Sequence, residues 1–412
     1  MRYYFQPFAH TGGLQNPRLN IPELSDGFDI SLQPPATGMV PVSYFTEELP
    51  FGVYAVHIAL EAMEDIDRLF LFTGRKQLRD IVSLRRGERY EQTFYQSVAE
   101  IIPRYHEKVY PVQNLFFSYC TSHTGASGQT AGGVVKIMEC YAENTDGIPV
   151  IWLCGDSTVT DQSSEIPYHP GACYASWGQA LPAFLRGRAA VENQAHCGLT
   201  TETFRSEGHM AIVKKHIRPG DLCLIQFGHN DQKLPHLLAG REYPVNLRRY
   251  IKEVREAGAV PVLVTSPGRN IWKPDGSYHE LLAEHTLAVK NVAQETDTAC
   301  IDLHTFSVGI LKQNGMEASC GYFHPGDYTH TNEYGAYLFA SFIAEELHNL
   351  FPDLITLLPK PAGFCPPENL WLRLDSGNNR AQGEGEKEQF DCMEKSTKAL
   401  LEALQKARET RV

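Results

Sequence analysis

The stretch Val150-Ile-Trp-Leu-Cys-Gly-Asp-Ser-Thr-Val-Thr-Asp161 decides how this chain is read. Val150 to Leu153 is an apolar run of strand length, and Gly155 breaks it. Asp156-Ser157-Thr158 follow at once. A strand that ends in glycine and delivers a serine places that hydroxyl on the carboxyl edge of a sheet. In open α/β sheets this edge is where ligands bind. The same residues suit a helix cap, since Ser and Thr are favoured there. On this stretch alone the two readings are equal.

Downstream, strands alternate with helices. Asp221–Phe227, Ala259–Thr265 and Ala299–Leu303 are apolar strand runs. Val245–Ala257 carries Leu247, Ile251 and Val254 on one helical face and stops at Gly258. Further helices are expected near Tyr278–Glu295 and over Asn332–Leu350. This alternation predicts a parallel sheet with helices on both faces. Upstream, Val53–Leu60, Arg68–Thr73, Arg89–Val98, Val112–Ser118 and Val134–Cys140 are short, aromatic and β-branched, without intervening helices. They predict an all-β sandwich or jelly roll over residues 1–145. The α/β domain then spans 146–358. Residues 359–412 begin as a Pro-, Gly- and Glu-rich linker and end in an amphipathic helix from Phe390 to Glu409, with Phe390, Met393, Leu400, Leu401 and Leu404 on its apolar side. That helix can dock on its own domain or on a second subunit of a homo-oligomer.

Two domains suit a chain of 412 residues. A net charge of -12 argues against a nucleic-acid partner and against an anionic membrane surface. The first residues, Met1-Arg-Tyr-Tyr-Phe-Gln-Pro-Phe8, lack the apolar core of a signal peptide. The cysteines are scattered, with no Cys-x-x-Cys pair, so no metal or cofactor is expected and the thiols suit a reducing compartment. The expected location is cytoplasmic.

Four segments line up where strands end or helices begin: Gly155-Asp-Ser-Thr158, Asn193-Gln-Ala-His-Cys-Gly-Leu-Thr-Thr-Glu-Thr-Phe204, Phe227-Gly-His-Asn-Asp231 and Asp327-Tyr-Thr-His330. In these the chain resembles the SGNH (GDSL-type) hydrolases, and within them the rhamnogalacturonan acetylesterases. The resemblance covers roughly residues 149–348. Gly-Asp-Ser alone is a weak motif, and Asp-x-x-His is weaker. Gly-Asp-Ser-Thr-Val-Thr-Asp, Gln-Phe-Gly-His-Asn-Asp-Gln-Lys and Asp-x-Thr-His-Thr-Asn in this order are specific. One departure is Gly198-Leu-Thr, where the family often has small polar residues after its glycine. The resemblance implies a flavodoxin-like three-layer fold and a serine-dependent carbohydrate acetylesterase acting on a pectin-type oligosaccharide.

The residues bring their own chemistry. Ester hydrolysis needs a nucleophile, a base, a group that orients the base, and donors for the oxyanion. Ser157 is the nucleophile candidate. His330 is the base candidate, because imidazoles titrate near neutral pH. Asp327, three residues earlier, can reach the second ring nitrogen. The N–H groups of Ser157 and Gly198 and the side-chain amide of Asn230 are the oxyanion candidates. A glycine there leaves the substrate unobstructed by a Cβ. Each also has a plainer reading: Asp327 and His330 as a helix cap, Gly198 as a turn, Asn230 as an Asx turn. His229, Asp156 and Asp302 are expected to be structural, and His196, His209 and His236 to be surface or packing residues. Trp177, Lys233 and Arg269 are candidate substrate contacts, set against core for Trp177 and solvated surface for the cations. A lipid or aryl esterase of the same fold and a non-catalytic carbohydrate-binding protein are the alternatives.

Overall fold

The computed structural model describes residues 1–10, 24–30, 38–103, 106–121, 133–185, 189–353, 355, 364–367 and 398–409. Among the described residues, nine of the strands before Val150 form two antiparallel sheets. They are β1 (Arg2–Tyr4), β2 (Gln6–Phe8), β3 (Val42–Phe45), β4 (Gly52–Ala62), β5 (Ile66–Thr73), β6 (Gln77–Leu84), β7 (Arg89–Val98), β8 (Phe116–Thr121) and β9 (Val135–Asn144). One sheet runs β1-β9-β4-β7 and the other β2-β3-β8-β5-β6. Side chains alternate between the faces of a strand. Leu69 and Leu71 of β5 therefore join Val56 and Ile58 of β4 in a core between the sheets. Phe70 and Phe72 point the other way.

The second half holds β10 (Val150–Gly155), β11 (Ala190–Asn193), β12 (Leu222–Gln226), β13 (Val260–Val264) and β14 (Ala299–Ile301). They form one parallel sheet in the order β11-β10-β12-β13-β14. In chain order that is 2-1-3-4-5, the flavodoxin-like arrangement. Helices α1 (His209–His216), α2 (Glu242–Glu256) and α3 (Ala283–Glu295) cover one face, packed on Val150, Trp152, Cys154 and Cys223. Helix α5 (Glu333–Leu350) covers the other, against Ile151, Leu153, Leu224 and Val262.

The outward face of the second antiparallel sheet packs into that same layer. Phe70, Phe72, Leu78, Ile81 and Cys120 share a core with Trp177, Tyr168 and α5. The β5–β6 turn drives polar groups into the junction as well. Lys76 sits there at φ +57° with its side chain buried. That left-handed backbone is costly for a residue with a Cβ. Its ammonium donates to Ser164 Oγ and to the Tyr174 carbonyl (3.4 Å), and lies 4.0 Å from Glu333 Oε1.

Two elements escape the sequence patterns. Strand β6 carries Gln77, Arg79 and Asp80 buried among its apolar residues, so it lacks a strand's clean alternation. Helix α4 (Leu303–Cys320) is interrupted by Gly315 at φ +78°, and the sequence patterns assign it nothing beyond Leu303, the end of the expected Ala299–Leu303 strand. The Val112–Ser118 strand begins at Phe116. A helix, α6, runs over 398–409. Phe390, Met393 and most of the stretch after Pro359 lie outside the described residues. Among the described residues no helix is long and apolar enough to cross a membrane.

Candidate active site

Strand β10 ends at Gly155 because nothing larger fits. A Cβ there would lie 2.5 Å from Val159 Cγ2 and 2.9 Å from the Gln226 carbonyl. The chain turns at once, and Asp156 Oδ1 fixes the turn by accepting from Thr158 N (2.9 Å) and Thr158 Oγ1 (2.8 Å). This sets Ser157 on the cleft, with its carbonyl held by Gln162 Nε2 at 2.9 Å.

Ser157 Oγ lies 2.7 Å from His330 Nε2. His330 Nδ1 lies 2.7 Å from Asp327 Oδ2. Asp327 Oδ1 accepts the backbone N–H of Thr329 (2.7 Å) and of His330 (3.0 Å). Burial by itself would raise this carboxyl, but the imidazole and those N–H groups outweigh it and hold the pKa at about 2. The carboxylate is thus ionised at neutral pH, and the base it faces is fixed in orientation. Tyr174 completes the wall: its ring stacks on His324 at 3.6 Å and meets the His330 ring edge-on at 5.9 Å.

The three expected oxyanion donors come from separate strand ends, and all three residues line the same cleft of about 620 Å³. Gly198 adopts φ +83°, and a Cβ added there would meet nothing within 4 Å. That left-handed backbone favours glycine whatever the space around it. Asn230 Nδ2 donates to the Leu199 carbonyl (3.0 Å), while Lys233 Nζ donates to Asn230 Oδ1 (3.0 Å). The amide is thereby oriented, and one of its two N–H hydrogens remains for a ligand.

The expected substrate contacts divide between the core and the cleft. Trp177 is not in the cleft: it is buried in the core and donates to Gln226 Oε1 at 2.7 Å. Arg269 lines the cleft but is only 3% exposed. It donates to the His229 carbonyl (3.1 Å) and to Thr329 Oγ1. Burial lowers its pKa to about 10, so it stays charged. Lys233 does line the cleft. His229 is buried and its pKa is pushed down to about 4, first by burial and then by Arg269. Its Nε2 faces the Pro267 carbonyl at 3.0 Å, a structural bond. His196 and His209 are packing residues, His236 pairs on the surface with Glu202, and Asp302 caps α4. Sequence patterns did not single out Gln162, Tyr174, Ile271 or the α6 residues as cleft lining. Only Gln162 had a signal, as the residue after the first motif.

A hydroxyl, imidazole and carboxylate in series on the carboxyl edge of a 2-1-3-4-5 parallel sheet place this molecule among the α/β hydrolytic enzymes. Comparison with known proteins narrows the class. The GDSL-like lipase/acylhydrolase family model matches residues 153–335. The chain is 35% identical over 213 residues to the rhamnogalacturonan acetylesterase RhgT of Bacillus subtilis (strain 168), covering 48% of this chain and 90% of that one. The probable rhamnogalacturonan acetylesterase YesY of the same organism is 31% identical over 208 residues, covering 48% and 93%. The uncharacterized esterase YxiM, also from that organism, is 30% identical over 201 residues, covering 48% and 51%. The chain belongs to the GDSL-like lipase/acylhydrolase family, the SGNH hydrolases, and is a carboxylic ester hydrolase.

Proposed function

We propose that the protein removes acetyl groups from a pectin-type, rhamnogalacturonan-derived oligosaccharide through an acyl-serine intermediate. The observation that carries the mechanism is the unbroken series from Ser157 Oγ to His330 to Asp327, each link 2.7 Å. Ser157 Oγ attacks the acetyl carbonyl carbon as its proton passes to His330 Nε2. The oxyanion takes hydrogen bonds from the N–H groups of Ser157 and Gly198 and from Asn230 Nδ2. Collapse expels the sugar oxygen, which recovers the proton from His330. Water, deprotonated by the same imidazole, then releases acetate and restores Ser157.

The substrate reading draws on the relatives' names and on charge. A chain of net charge -12 repels a uronate polymer at long range, so a cation in the cleft must offset this. Lys233 spends one of its three donors on Asn230 and keeps the others for a carboxylate. Arg269 adds a buried positive charge behind it. Residues 1–145 are read as an all-β domain and 146–358 as the hydrolase domain. The shared core of Phe70, Phe72, Trp177 and α5 supports a structural role for the first. The described cysteines form no disulfide, in keeping with a cytoplasmic enzyme that meets imported oligosaccharides.

The test is acetate release from acetylated rhamnogalacturonan oligosaccharides and from acetylated xylo-oligosaccharides. The acidic substrate should be preferred, and Lys233→Glu should raise its KM. Equal or faster turnover of the neutral xylo-oligosaccharides would remove the pectin assignment.

A further inference from the structure

Helix α6 lies outside the segment matched by the family, yet it borders the cleft. Leu400, Ala403, Leu404 and Ala407 recur at i, i+3, i+4 and i+7, which puts them on one helical stripe. The stripe divides in two. Its C-terminal half is an anchor: Leu404 is 8% exposed and Ala407 1%. Arg408 beside it lies 4.0 Å from Glu284 in the first turn of α3. Its N-terminal half is not consumed in packing. Leu400 and Ala403 are half-buried, Ala399 is exposed, and all three line the same cleft as Ser157 and His330. With Ile271 they are the aliphatic residues of the lining, which elsewhere carries polar groups such as Asn230, Lys233 and Asp327.

An apolar stripe left half-covered at the mouth of a site is surface that a ligand must meet. We propose that α6 is a fixed size filter, with Leu400 and Ala403 as specificity-determining residues that limit how large an ester reaches Ser157. The inference rests on Ser157 as the reacting residue but not on the identity of the sugar. The apolar wall would contact acyl carbons or the C–H face of a sugar ring. Anchored by Leu404, Ala407 and Arg408, it excludes bulkier esters that an open cleft would admit.

The test uses the full chain and two substitutions acting in opposite directions. Ala407→Asp places a charge in the buried anchor and should release α6. Leu400→Trp adds bulk to the wall without touching the anchor. Each is assayed on p-nitrophenyl acetate, butyrate and octanoate, and on acetylated oligosaccharides against the acetylated polymer. Ala407→Asp should leave acetate turnover within about twofold of wild type. It should raise the octanoate-to-acetate or polymer-to-oligosaccharide ratio about tenfold, the scale of discrimination by pocket shape. Leu400→Trp should lower the same ratio. If both ratios in both variants stay within about twofold of wild type, the filter is excluded. Failure of the sugar assignment looks different: the aryl esters are turned over while no acetylated oligosaccharide is.

Discussion

Two regions of this molecule collect ionisable side chains, and they treat their carboxylates in opposite ways. At the cleft, Asp327 is held at about 2, far below its ordinary value. At the junction beneath the β5–β6 turn, burial pushes Asp161 and Glu333 up and takes Glu192 to about 6, although Arg75 and Lys76 stand close. Arg79 is likewise pushed down to about 9 by burial. The difference lies in donors and water. Asp327 has two backbone N–H bonds and an imidazole at 2.7 Å, on an open cleft. Glu333 takes one backbone N–H, from Gly171 at 2.7 Å, while its Oε1 has only an ammonium at 4.0 Å and no solvent. A cluster of charges is thus no guide to chemistry by itself. Access and pre-set donors separate the reactive cluster from the one that joins two sheets.

The largest effect should come from breaking the reactive side. Ser157→Ala should cut kcat on p-nitrophenyl acetate by about 10⁴ to 10⁶ while leaving the melting temperature near wild type. Retention of wild-type turnover would sink the nucleophile assignment and the cluster's reactive status with it.

The junction should respond in stability instead. Lys76→Met leaves Glu333 buried without its cation, which typically costs about 3–5 kcal/mol. Urea denaturation should register that loss. Lys76→Met combined with Glu333→Gln should lose clearly less, because no lone charge is then buried. A double variant as unstable as the sum of the singles would mean the two side chains do not interact.

Asp231 sharpens the contrast with the smallest effect. It follows Asn230 in sequence but behaves like the junction, its pKa raised to about 7 by burial against an ordinary 3.8. Thr201 N and Oγ1 donate to Oδ1 only. Between about pH 4 and 7 the folded chain holds this proton and the unfolded chain does not, so its contribution to stability falls as pH rises. Asn cannot titrate. The melting temperature of Asp231→Asn should therefore gain on wild type by a few degrees between pH 5 and pH 8. A gap that stays constant across that range would show that Asp231 is already ionised in the fold.

The same contrast explains what could be read from the chain. The strands of the parallel sheet were legible because both faces are covered, which makes each an apolar run ended by Gly or a polar turn. The reacting residues were legible because they sit at those ends in a fixed order. The junction was not, since β6 reaches it with Gln77, Arg79 and Asp80, and polar residues in a strand normally mean solvent. Trp177 shows the converse: of the two readings its sequence allows, substrate contact or core, the structure has the core, where its indole N–H finds Gln226. Arg269 follows a strand end and lines the cleft, but its bonds to Thr329 and the His229 carbonyl leave little of it exposed. The cleft side of α6 was hidden because an amphipathic pattern identifies an apolar stripe and not what lies opposite it.

The second antiparallel sheet, packed on both faces, has a consequence for synthesis. Phe70, Phe72, Leu78, Ile81 and Cys120 leave the ribosome long before the residues that cover them, which extend to Phe364, whose ring meets that of Phe70 at 5.7 Å. Counted from Cys120, that delay spans about 240 residues, or roughly 10–50 s at ordinary elongation rates. For that interval the nascent chain presents a flat aromatic surface to its surroundings, so its yield in a cell should depend on how fast translation proceeds and on what shields the sheet meanwhile.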